Sequence, residues 1–131
     1  MNKVFNAPSG IPGQEEMFTV TYDEGINKGR TTLQKLVRLM CENPAKIFGL
    51  FPRKGIIASG SDADIVIFDP TLSHTIKAKS LHTKVDYSLY EGRKCIGAPI
   101  TVLQRGKIII HEGELQAKAG QGQYLPGQIN L

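Results

Sequence analysis

Few side chains in this sequence are placed to do chemistry. Three histidines are present, His74, His82 and His111, and none forms an H-x-H, an H-E-x-x-H or another close ligand pair. They read as surface or strand-edge residues. The two cysteines, Cys41 and Cys95, stand far apart without a C-x-x-C spacing, so both are expected to be unpaired and structural. No G-x-S-x-G elbow presents a nucleophile, and neither Gly10–Gly13 nor Gly120-Gln121-Gly122 lies between a strand and a helix as a phosphate loop must. The run Gly60-Ser61-Asp62-Ala63-Asp64 offers two carboxylates that could face a hard cation. The better reading is a tight turn whose aspartates accept backbone N–H groups before a strand. Arg53-Lys54 and Arg93-Lys94 read as solvated turns. Spacing alone therefore predicts no catalytic residue and no metal ligand.

The elements that would carry these residues are better marked. Ser9-Gly10-Ile11-Pro12-Gly13 is a loop, because its glycines free the backbone and its prolines interrupt any helix. A short extended or helical piece follows at 17–22, and Gly25 and Gly29 mark a turn. Thr31-Thr32-Leu33-Gln34 has capping-box spacing. Leu33, Leu36, Val37, Met40 and Cys41 then repeat as one apolar helical face. This helix is expected to end by Asn43, before Pro44, where a second short helix starts with Asn43 as its cap and stops at Gly49. From Asp64 the period changes. Ile65-Val66-Ile67-Phe68 reads as a strand buried on both faces and closed by Pro70, and 74–78 as a weaker strand. Residues 100–104 and 107–111 flank Arg105-Gly106, the best hairpin signal in the chain. The glycine- and glutamine-rich tail from Gln116 reads as a poorly packed arm. The class is α+β: two helices, then an antiparallel β unit.

Composition sets the outer limits. The chain has 131 residues, one domain or part of one, and is too short for a complete (β/α)₈ barrel of about 200 residues or more. Sixteen basic against twelve acidic residues give a net charge of +4 with no charge run, which argues for no nucleic-acid partner. No stretch reaches the ~18 apolar residues of a membrane span, and the N-terminus has no signal core, so a cytoplasmic protein without a membrane partner is expected.

Three blocks carry a resemblance. They are Tyr22-Asp23-Glu24-Gly25-Ile26-Asn27-Lys28-Gly29-Arg30, the run from Asn43-Pro44-Ala45-Lys46 to Arg53-Lys54-Gly55, and the run from Gly60-Ser61-Asp62 to Phe68-Asp69-Pro70. Together with Tyr90-Glu91-Gly92 and Arg105-Gly106-Lys107, in the same order, they resemble the C-terminal third of dihydropyrimidinases and D-hydantoinases, within the cyclic amidohydrolase superfamily. The resemblance implies a parent that opens cyclic amide rings on a (β/α)₈ barrel. Histidines, a carboxylated lysine and an aspartate hold two zinc ions there, beside a β-sandwich. It implies that residues 1–52 are a substrate loop and terminal barrel helices, 53–115 part of an antiparallel sandwich, and 116–131 a C-terminal arm. All the family's metal ligands lie upstream of these blocks, so no zinc is expected on this chain. Gly60-Ser61-Asp62 is similar in type to the family's aspartate motif, but it leads into Ala63-Asp64 and the sandwich strand and is not carried over.

One substrate contact is carried over. The family's Pro-Asn-Gly loop binds the ring through backbone atoms. Pro8-Ser9-Gly10 stands in its place, making Ser9 and Gly10 the candidate substrate-binding residues. Serine replaces asparagine there, and Glu15-Glu16-Met17 stands where the family often has an arginine. The expected function is that of a C-terminal fragment, supplying scaffold and part of the substrate loop and inactive alone. Its partners would be the missing barrel region or a second copy, and the parent's small cyclic amide substrate. The alternatives are a non-catalytic binding or assembly module and a dihydropyrimidinase-related protein that keeps the fold without the metals.

Overall fold

A computed structural model describes residues 10–128. The elements run α1 (Met17–Tyr22), α2 (Leu33–Val37), α3 (Asn43–Ile47), β1 (Ile65–Thr75), β2 (Lys94–Gln104), β3 (Lys107–His111) and β4 (Glu114–Leu115). The strands form one antiparallel sheet in the order β1-β2-β3-β4.

The 17–22 segment is helical, and a π-helical turn at Asp23–Asn27 extends it through Gly25, where a break was expected. The turn comes at Gly29, whose φ is +65°. Helix α2 starts one residue later than the capping box suggests. Thr32, not Thr31, is the N-cap, in extended conformation, and its hydroxyl accepts the Lys35 N–H at 3.3 Å.

The expected break before Pro44 does not occur. Asn43 is helical (φ −64°, ψ −46°), and the path from α2 to α3 is continuous through a π-helical turn at Arg38–Glu42. The Asn43 N–H reaches back to Arg38 O, five residues away. Such a widened turn is a common site of adjustment where a proline lacks its donor and crowds the carbonyl of the preceding turn. Of the predicted apolar face, Leu36 is buried to 1% exposure, while Leu33, Val37 and Cys41 are exposed. Gly49 stops the helix, with φ +65° and its N–H on Lys46 O at 3.1 Å.

Proline does not close β1 either. The strand continues to Thr75 and absorbs the start of the weaker 74–78 strand. Pro70 sits where the pairing with β2 shifts, between Asp69 and Ser73, and β1 is an edge strand, so the missing N–H costs no ladder bond. Asp69 Oδ1 accepts both the N–H and the hydroxyl of Thr71 at 2.8 Å, which shapes the bulge. Nor is β1 buried on both faces: Val66 and Ile67 are 49% and 48% exposed, because nothing in the described residues covers them. The 100–111 hairpin is present, with Arg105 (φ +48°) and Gly106 (φ +75°) as the left-handed pair its two-residue turn requires.

Helix α1 lies against β1 and β2. Phe68 meets the Phe18 ring edge-to-face with centroids 5.0 Å apart, and the Tyr22 ring at 4.6 Å. Gly97 of β2 lets them approach. Its φ is +102°, and a Cβ there would lie 2.7 Å from the Tyr22 ring and 2.8 Å from Phe68. Buried Val20, Ile76 and Cys95 form the adjoining core. The arm has no regular structure, yet it is anchored: Gln128 N–H bonds Gly49 O at 2.8 Å, and the Arg105 guanidinium bonds Gln121 O at 2.5 Å.

Candidate functional site

The loop leads directly into α1. Gly10 is exposed with φ +101°, a backbone that a side chain would strain, and the Met17 N–H closes on Gly13 O at 2.9 Å. The structure thus places Gly10 at the open end of a loop whose far end is fixed by a helix. Ser9, the other candidate substrate contact, lies outside the described residues. Residues 11–14 form a shared wall of two open clefts of about 410 and 420 Å³. A third, of about 410 Å³, opens on the sheet side between Phe18, Val66, His74 and Val102.

Polar contacts around this loop come from residues that sequence periodicity does not single out. Glu15 Oε2 accepts the His82 backbone N–H and Oε1 meets His82 Nδ1, both at 2.8 Å. The neighbouring Glu16 is 4% exposed and accepts the Ser88 hydroxyl at 2.7 Å, while Ser88 Oγ accepts the Tyr90 N–H at 3.1 Å. The sequence signal for this pairing is only the doubled glutamate after the loop. Its partners lie 67 and 72 residues away.

Two ion-pair groups lie elsewhere in the fold, and in each the lysine or arginine read as part of a solvated turn is only partly exposed and held by carboxylates. Lys54 Nζ binds Asp62 Oδ2 at 2.9 Å and also Asp64, and its side chain is only 17% exposed. Burial works against its charge, but the Asp64 and Asp62 bonds outweigh burial and hold the ammonium pKa above its ordinary value. The Lys54 bond, joined by Arg53 at 3.0 Å, holds Asp62 below the usual carboxylate range. Asp64 Oδ1 accepts the Arg105 N–H at 2.8 Å, a backbone bond across the sheet rather than within the turn, whereas Asp62 meets side chains and not the backbone N–H groups expected of it. The second group joins the C-terminal end of α1 to the start of β2. Arg93 binds Glu24 and Asp23, Asn27 donates to Ile96 O at 2.8 Å, and Asp23 Oδ1 accepts the Ile96 N–H at 3.2 Å. Glu24 is held low by its bonds from Lys28 and then Arg93. For Asp23, burial pushes upward, but the bonds from Asn27, Ile96 and Arg93 win and lower its pKa.

The metal-ligand reading finds no donors here. Among the described residues, no three or more His, Cys, Asp or Glu side chains converge on a point that could hold a metal ion. His82 is committed to Glu15, His111 Nδ1 faces Thr101 Oγ1 at 3.0 Å, and Asp62 and Asp64 face Lys54. The described residues therefore do not gather a donor set that fits the two zinc ions implied by the resemblance. Cys41 is exposed and Cys95 buried, both as free thiols. No described helix is long and apolar enough to cross a membrane.

Comparison with known proteins places this geometry. The amidohydrolase family pattern matches residues 14–109. A D-hydantoinase from Ralstonia pickettii is 48% identical over 118 residues, covering 90% of this chain and 26% of the relative. The dihydropyrimidinase of Rattus norvegicus is 40% identical, covering 92% of this chain and 23% of the relative. The D-hydantoinase structure from a Bacillus sp. AR9 superposes with a TM-score of 0.90 at 40% identity, over 97% of this chain and 28% of that one. The chain spans about a quarter of the length of these relatives. A pattern matched over most of the sequence, in the fold that part of a hydantoinase adopts, makes this chain a member of the amidohydrolase family, homologous to part of the D-hydantoinases and dihydropyrimidinases.

Proposed function

We propose that this chain is the C-terminal portion of a dihydropyrimidinase- or hydantoinase-type hydrolase that opens cyclic amide rings, and that it contributes scaffold and substrate loop rather than the reacting centre. The observation that carries this reading is one of coverage. The match runs nearly the whole length of this chain but only about a quarter of each relative named for such activity. In this division residues 1–52 carry the loop and the terminal barrel helices, 53–115 belong to a β-sandwich, and 116–131 form an arm. Exposed Leu33, Val37, Val66 and Ile67 support it, because both faces carry apolar surface with no cover among the described residues.

In the ring-opening reaction the chain's part is positional. Backbone atoms of Ser9 and Gly10 hold the ring amide, and the tight approach to α1 fixes where that loop stands. The metal-held water of such a hydrolase would be supplied outside the described residues. The partner is the barrel portion of the same enzyme.

Complementation tests this reading. A D-hydantoinase relative lacking the matching segment is co-expressed with this chain, and hydantoin and dihydrouracil turnover is followed. Activity that needs both pieces supports it. Co-purification without turnover on any cyclic amide favours the assembly-module alternative.

A further inference from the structure

Two consecutive carboxylates follow the Gly10–Gly13 loop, and both reach the same distant segment. Glu15 holds His82 by two bonds at 2.8 Å, one to its backbone N–H and one to ring Nδ1. Glu16, buried, holds Ser88 at 2.7 Å. Between these anchors, residues 81–88 form no helix or strand, and Val85 and Tyr87 are both 37% exposed. The segment's own packing therefore does little to hold it, and the carboxylates are its main ties to the loop.

We propose that Glu15 and Glu16 form a two-point tether through which the 81–88 segment fixes the substrate loop, making Glu15, His82 and Ser88 positioning residues for ring binding; this assignment of purpose rests on the hydrolase reading above. The chemistry of the first point is specific. A carboxylate can only accept, so His82 Nδ1 must carry a proton, and the bond persists whether the ring is neutral or cationic. The other titratable groups lining the clefts beside the pair are Glu16 and His74.

The test is Glu15→Gln in this chain, read by hydrogen exchange at the His82 and Met17 amides, each normalised to its intrinsic rate. A glutamine amide can accept from the His82 N–H and donate to an unprotonated Nδ1, but it meets an imidazolium with donor against donor. In the unaltered chain both amides should stay protected in mildly acidic and mildly basic buffer alike, because the carboxylate accepts from either form of the ring. In Glu15→Gln, protection should hold in the basic buffer, where the ring is neutral, and fall about tenfold or more in the acidic one, where it is an imidazolium. His82→Gln, whose amide donates to Glu15 at every pH, should keep protection without that dependence, and it serves if Glu15→Gln does not fold. An unchanged profile in Glu15→Gln, or equal loss at all pH values in either variant, overturns the tether. Turnover is not read, so failure of the ring-opening reading leaves this result interpretable.

Discussion

Replacing Gly97 with alanine probes the contact that holds α1, and with it the loop, onto the sheet. Two costs add. The backbone at φ +102° is one that a side chain resists, which costs about 1–2 kcal/mol. The new Cβ would lie 2.7 Å from the Tyr22 ring and 2.8 Å from Phe68, and overpacking of that kind costs about 1–3 kcal/mol. The sum is about 2–5 kcal/mol. At the centre of that range, about 3.5 kcal/mol, and with a urea slope of about 2 kcal/mol per molar, the unfolding midpoint should fall by about 2 M. Gly113→Ala is the control. It also has positive φ, +82°, but nothing within 4 Å of the added Cβ, so it carries the backbone cost alone. Equilibrium urea unfolding, followed by near-UV circular dichroism of the tyrosines, separates the two. If Gly97→Ala is no more destabilising than Gly113→Ala, the ring contact does not hold α1 and the positional account of the loop fails.

Three further outcomes follow from the polar contacts. Asp64→Ala removes the acceptor of the Arg105 N–H and one partner of Lys54, and should cost about 1–2 kcal/mol by denaturant unfolding. Thr32→Ala removes the N-cap bond of α2 and should cost about 1 kcal/mol in the same assay. Acid sensitivity should centre on carboxylates whose folded pKa values are lowered, among them Asp23, Glu24 and Asp62. Their contribution is complete above the unfolded values, about 4, and disappears as pH falls through the lower folded values. Arg93→Met should flatten that acid limb in a pH series of unfolding midpoints, and an unchanged limb would show that the Arg93 group carries none of it.

What the sequence discloses about this fold divides by range. The Arg105-Gly106 hairpin and the Gly49 stop are legible because a left-handed residue at a turn is a local requirement. The family blocks are legible because they are long and ordered. Pro44 and Pro70 mislead for one reason: each is tolerated by an arrangement that local rules do not encode. Pro44 sits beyond a π-helical turn, and Pro70 in the bulge of an edge strand. Lys54 and Arg93 look like solvent-facing charges until the fold brings Asp62, Asp64, Asp23 and Glu24 to them. The Glu15–His82 and Glu16–Ser88 contacts, formed across 67 and 72 residues, leave no periodic trace. At the candidate site, the loop itself is legible from its glycines and prolines, and what holds it is not.

The division of labour proposed for this chain is tested most directly by metal analysis of the purified polypeptide after zinc loading and desalting, with hydantoin turnover measured on the same sample. The account predicts zinc well below one equivalent and no ring opening. A stoichiometric, tightly retained ion bound by side chains of this chain, with turnover that survives rigorous purification, would contradict it.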